Sequence, residues 1–182
     1  MIIMLIELKN LEDMPVGSFE EQTMIGKVYE IIVSPEDAKL LGFLVKIGTF
    51  IPKFKIASMQ DVVDIDQNGI TVKSSEALVE KDEIIRISKI LKHKFSLIGL
   101  PAINQKDHSL GRVSNALIET QSGDVLRLYL TNFLQNRVFE RSQIIKMDEV
   151  KVILRDEPEI KETAKSQIKD TLALNPKTEI AA

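Results

Sequence analysis

The chain predicts a mainly β protein: two tandem small, antiparallel, partly open β-barrels joined by a short helical connector, followed by a helical or disordered tail. Three observations carry this expectation. Met24-Ile25-Gly26-Lys27-Val28 returns 85 residues later as Ser109-Leu110-Gly111-Arg112-Val113, and so long an internal period marks duplication of a structural unit. Each copy holds alternating apolar segments rich in β-branched residues and bounded by turn chemistry. The 182 residues are 44% hydrophobic and 28% charged, a globular balance with room for two small domains.

The elements follow in chain order. Residues 2–8 read as an early strand: the apolar opening Met1–Ile6 is cut short by Glu7 and Lys9, without a basic leader or a cleavage site. Membrane insertion is not expected, since no stretch approaches the roughly 20 apolar residues that span a bilayer. Lys27–Val33 leads through Ser34-Pro35-Glu36-Asp37 into Leu41–Gly48; the proline presets φ and the polar side chains bond the local backbone. Asp61–Ile65 turns at Asp66-Gln67-Asn68-Gly69 and returns as Ile70–Lys73. Asn68-Gly69 suits a hairpin turn with positive φ at both central positions.

Copy two repeats the plan. Gly111–Thr120 turns through Gln121-Ser122-Gly123-Asp124 into Val125–Leu130, where Leu126, Leu128 and Leu130 alternate with Val125, Arg127 and Tyr129. That alternation assigns Leu126 and Leu128 to the barrel core. Gln143–Met147 and Val150–Leu154 form the late hairpin. Between the copies, Asp82 is an expected N-cap, with Ile84, Ile87 and Leu91 on one helical face. Beyond Leu154, Pro158 can open a helix carrying Ile160, Ala164, Ile168 and Leu172 on one stripe. The expected units are therefore residues 1–75, a connector 76–94, residues 95–154 and a tail 155–182.

Gly26 and Gly111 each follow a polar loop and precede a strand. Glycine there permits positive φ or close backbone approach where a strand enters a tight barrel. Val28 and Ile32 match Val113 and Leu117, two and six residues beyond each glycine, so they are read as core. Gly26, Gly111, Asn68, Gly69 and Gly123 are read as structural turns.

This order of motifs resembles the PRC-barrel family: apolar-Pro-apolar (Met14-Pro15-Val16, Leu100-Pro101-Ala102), polar loop, Gly-basic-Val, strand, turn, strand, late hairpin. The family includes the cytoplasmic domain of the photosynthetic reaction-centre H subunit and the C-terminal domain of the ribosome maturation factor. The resemblance covers roughly residues 1–75 and 95–154, as a tandem. It implies small β-barrels used to dock other macromolecules. Members often place Asp two residues after the Val, where this chain has Glu30 and Asn115, so no role is carried onto that position.

No catalytic constellation is legible, and neither cofactor nor metal is expected. There is no cysteine, hence no thiol nucleophile or disulfide framework, which suits a reducing cytoplasm. His93 and His108 lack ligand-spaced partners, and no glycine-rich phosphate loop or nucleophile elbow occurs. Asp64-Ile65-Asp66-Gln67-Asn68-Gly69 imitates half of a calcium loop, but its twelfth position is Ser75 instead of a bidentate Glu. The net charge of −3 argues against broad nucleic-acid affinity. Arg86, Lys89 and Lys92 are the candidate RNA contact, or else a solvated face opposite Ile84, Ile87 and Leu91. The function expected is a non-enzymatic adapter with a protein partner. The alternative is an RNA- or ribosome-associated maturation factor using the basic connector. Phe50, Ile51 and Phe54 around Pro52, in a loop of copy one, are candidate exposed contacts or else core residues.

Overall fold

A computed structural model describes residues 4–133 and 135–155. Its strands are β1 (Leu5–Glu7), β2 (Pro15–Ser18), β3 (Met24–Ser34), β4 (Lys39–Ile47), β5 (Lys53–Ser58), β6 (Val62–Ile65) and β7 (Ile70–Val72). After the helix α1 (Ile85–His93) come β8 (Pro101–Asn104), β9 (Ser109–Glu119), β10 (Val125–Thr131), β11 (Asn136–Glu140), β12 (Ile144–Met147) and β13 (Val152–Leu154). The tail expected over 155–182 lies, past Arg155, outside the described residues.

The strands make two sheets of the same connectivity. One runs β5-β4-β3-β2-β7-β6, the other β11-β10-β9-β8-β13-β12. Among the described residues, neither path closes on itself by hydrogen bonds. The sheets are mixed, not purely antiparallel as expected: β7 runs parallel to β2, and β13 parallel to β8. Each late hairpin packs back beside the first strand of its copy, and chain direction there forces a parallel pair.

The duplication extends to the irregularities. Extra residues bulge from the ladders at Ile25 and Leu110, at Tyr29 and Ser114, and at Leu41 and Leu126, each pair 85 residues apart. Val63 and Ile145 make a fourth pair, 82 apart. Bulges bend and twist a strand, so matched bulges give both sheets the same curl.

The bulges also correct the core assignment. Val28, Ile32, Val113 and Leu128 are buried as expected, but Leu126 and Leu117 are only half-buried. Leu126 is itself the bulged residue, so Val125 takes the inward place beside Leu128 and Leu130. On β9, Ala116 and Ile118 point inward, and Leu117, between them, faces the opposite side.

The segments preceding each copy cross over. β1 leaves its own sheet and pairs antiparallel with β9, Ile6 opposite Ile118. Helix α1, which precedes the second copy, packs against β3 of the first. It starts at Ile85 without a side-chain cap, so Asp82 is not the N-cap. Leu8 and Leu11 from the first leader and Phe95 and Leu97 from the second are buried. In place of two separate interiors, the buried apolar residues of both copies form one continuous cluster. A sheet this small has a thin core alone, and the exchange of leaders merges the two.

Candidate functional site

The junction between the copies is built from equivalent turns. The β3–β4 turn meets the β9–β10 turn so that Leu40 N–H donates to Gly123 O at 2.7 Å and Val125 N–H donates to Ala38 O at 3.1 Å. Ala38 and Gly123 are equivalent, as are Leu40 and Val125, each pair 85 residues apart. The two bonds are therefore one bond repeated about a local pseudo-two-fold axis. Lys39 and Asp124, also equivalent, face each other in an antiparallel bridge on that axis. Ala38 and Gly123 share left-handed φ values of 50° and 75°.

Arg141, in the short turn after β11, clamps this contact. Its guanidinium donates to Asp37 O at 2.9 Å, Ala38 O at 3.0 Å and Val125 O at 3.1 Å. It also lies 3.6 Å from the Asp124 carboxylate. A rigid fork of donors suits three converging carbonyls. Nothing in the repeat pattern singled out Arg141, because its partners are backbone atoms, two of them more than a hundred residues away.

The predicted glycines have distinct reasons. A Cβ on Gly26 would lie 2.3 Å from Lys46 O, and one on Gly111, at φ +119°, 2.4 Å from Thr131 O. Both sit where neighbouring backbone comes too close for a side chain. Gly123 serves the junction as well as its turn, since a Cβ there would stand 2.8 Å from Leu40 O. The Asn68-Gly69 turn is corrected: neither residue has positive φ. Instead the Asp66 carboxylate accepts from Asn68 N–H at 2.7 Å and Gly69 N–H at 3.0 Å. Asp148, 82 residues on, does the same with Val150 and Lys151 N–H at 2.9 Å each. These bonds hold the Asp66 and Asp148 carboxyls below their ordinary range.

Two concavities lie beside the leader segments. One, of about 210 Å³, is lined by Leu8, Glu12, Tyr29, Glu30, Phe95 and Leu97. Burial pushes the Glu30 carboxyl up, opposed by the charge of Lys81. The other, of about 540 Å³, lies beside β1 and includes Ile6, Met14, Asp66 and Leu117. Among the described residues, no cluster of His, Cys, Asp and Glu could hold a metal ion. No described helix is long and apolar enough to cross a membrane.

Of the basic connector residues, Arg86 is engaged. It donates to Ser34 Oγ at 2.6 Å and Asp37 Oδ1 at 2.9 Å, with Glu36 at 3.6 Å. Lys89 and Lys92 are exposed. Phe54 is not in a loop: it lies on β5, edge-on to Tyr29 at 4.8 Å, with the Lys81 ammonium 4.9 Å from its ring. Phe50 and Ile51, at the β4–β5 hairpin tip, are 98% and 84% exposed. At the matching β10–β11 tip, Phe133 is fully exposed.

Residues 4–79 match the family model of the PRC-barrel domain. The first copy thus carries a PRC-barrel domain, spanning β1 through β7 and ending at Val79. Comparison with curated proteins finds no match.

Proposed function

We propose that this protein is a non-catalytic adapter, built from a tandem of PRC-barrel units, that docks another protein in the cytoplasm. The second unit is assigned to the same family on its identical strand order and four matched bulges. The observation that carries the docking role is the pair of equivalent hairpin tips, each offering a fully solvated phenylalanine: Phe50 with Ile51, and Phe133. Single exposed apolar residues are ordinary. The two phenylalanines are not at equivalent positions, but each sits at the exposed tip of the same hairpin of its copy, and exposed aromatics suit contact with a partner, where aromatic side chains are enriched. Absence of cysteine fits a reducing compartment.

The test is affinity capture from the native cell with the intact chain and with Phe50→Ser plus Phe133→Ser. Loss of a reproducible protein partner from the variant supports the reading; equal recovery with both chains removes the tips from it. The engagement of Arg86 by Ser34, Asp37 and Glu36 counts against the RNA alternative, leaving Lys89 and Lys92 as its cations.

A further inference from the structure

The β4–β5 hairpin tip carries charge that the shared fold does not require. Lys27 on β3 and Lys46 on β4 stand directly opposite each other, and Phe54 on β5 is the next residue in that row. Like charges set directly across a ladder are destabilising. Lys53 stands opposite Ile47 in the last pair before the loop. Lys27, Lys46 and Lys53 are all exposed, and none makes an ion pair among the described residues. The chain offers no neutralising group close by, because residues 38–60 contain neither Asp nor Glu.

The second copy builds the same hairpin without these cations. Arg112 and Thr131 hold the places of Lys27 and Lys46, 85 residues on, and face each other in the same way. Arg112 is engaged, donating to Gly99 O at 2.8 Å. Thr131 pairs with Asn136 as Lys46 pairs with Phe54, so Gln135 holds the place of Lys53. Three unpaired lysines at one tip thus answer to a single engaged arginine at the other. Neither folding nor pairing of the strands accounts for them.

We propose that the first hairpin tip anchors the protein on an anionic lipid surface, with Phe50 and Ile51 entering the apolar boundary and Lys27, Lys46 and Lys53 meeting the headgroups. Phe50 and Ile51 are 98% and 84% exposed, and both lie beyond the last strand pair. The lysines sit on the last two rows of the ladder, about 3–7 Å behind the loop at the rise of a strand. That offset matches an interfacial anchor, whose apolar side lies about 5–10 Å deep while its cations stay with the headgroups. Anionic headgroups also relieve the repulsion between Lys27 and Lys46, each lysine near such a surface strengthening binding about fivefold. Gly48, at φ +81°, opens the loop and Pro52 fixes φ at its close, so little of the tip remains to be ordered on contact. A protein partner would have to supply a pocket for each protruding side chain, whereas a lipid surface accepts both without one. The anchor lies on the membrane and does not cross it. The inference goes beyond the adapter reading, giving this tip a lipid surface and leaving Phe133 to the protein partner.

Vesicle sedimentation with the intact chain tests it, using phosphatidylcholine alone and phosphatidylcholine with about three-tenths phosphatidylserine. The parent should bind the anionic vesicles about tenfold or more tightly than the neutral ones. Lys46→Glu with Lys53→Glu, and separately Phe50→Ser with Ile51→Ser, should each weaken that binding by about tenfold or more. Phe133→Ser should leave it unchanged. The chain has no tryptophan, so Phe50→Trp supplies a single reporter whose emission should shift to the blue on anionic vesicles. An unshifted emission overturns the proposal, as does binding that is equal on both vesicles or indifferent to Phe50→Ser with Ile51→Ser. Retention on immobilised polyglutamate without binding to vesicles also overturns it and assigns the tip to an acidic protein surface.

Discussion

Lys39 lies opposite Asp124, the residue that occupies its own place in the other copy, with Nζ 3.9 Å from Oδ1. Each would meet its like if a copy paired with itself: two lysines in one case, two aspartates in the other. The opposite charges on the pseudo-two-fold axis thus favour the first copy joining the second. Both side chains are substantially exposed, so the direct attraction is small, about 0–1 kcal/mol. Its value lies in excluding the wrong pairing.

The clamp on this junction should matter more than the ion pair. Arg141→Ala removes donors to three carbonyls, two of them in the first copy, and should cost about 1–3 kcal/mol. Arg141→Lys keeps the charge but not the fork and should recover less than half of that loss. Urea unfolding followed by circular dichroism reads both. Full recovery by lysine would mean that charge alone holds the contact.

Two glycines separate backbone conformation from crowding. Gly99 has φ +88° and open space for 4 Å around the point a Cβ would occupy, while Gly123 has φ +75° with Leu40 O at 2.8 Å from that point. Gly99→Ala should cost about 1 kcal/mol, the penalty of a left-handed alanine. Gly123→Ala should cost about 2–4 kcal/mol, because it also pushes the two copies apart. The difference in denaturation midpoint at constant slope measures the contribution of the junction.

Stability should fall in acid through Asp66 and Asp148. Backbone N–H groups of Asn68 and Gly69, and of Val150 and Lys151, hold these carboxyls below the ordinary 3.8. A lowered folded value contributes stability above the unfolded one and loses it as pH falls through the folded one. The loss therefore begins near pH 3.8 and deepens below it. Asp66→Asn with Asp148→Asn keeps an acceptor oxygen and removes the titration, so it should flatten that limb in a thermal melt series. Glu30 acts in the opposite sense. Burial raises it above 4.5, against Lys81, so its contribution is present below pH 4.5 and fades as pH rises through the folded value. Glu30→Gln should remove that fading.

Replacing the tip aromatics should leave the fold intact. Phe50→Ser and Phe133→Ser touch residues 98% or more exposed, so stability should stay within about 0.5 kcal/mol of the parent. Retention on a hydrophobic column should drop with each change, and most with both. A large loss of stability would show that the tips pack somewhere.

The repeat, its turns and most of its long strands are legible along the chain, because each depends on neighbours close in sequence. Gly26, Gly111 and Gly123 stand out by their place after polar loops or within a turn, although the backbone that crowds each comes from a distant segment. What folding alone settled are relationships between distant segments. Strand Asn136–Glu140 lacks strong alternation, and Lys53–Ser58 alternates only over Lys53–Ile56, just after Pro52; both are fixed by pairing with β10 and β4. The exchange of β1 and α1 between the copies leaves no local trace, since a leader carries no record of which sheet it will cover. The bulge at Leu126 hides in a regular leucine alternation: one extra residue against the facing strand reverses which side faces inward, and that count is set by the partner's register. Arg141 is invisible for the most general reason. Its three acceptors are main-chain carbonyls, which every residue has, brought together only by the closing of one copy on the other.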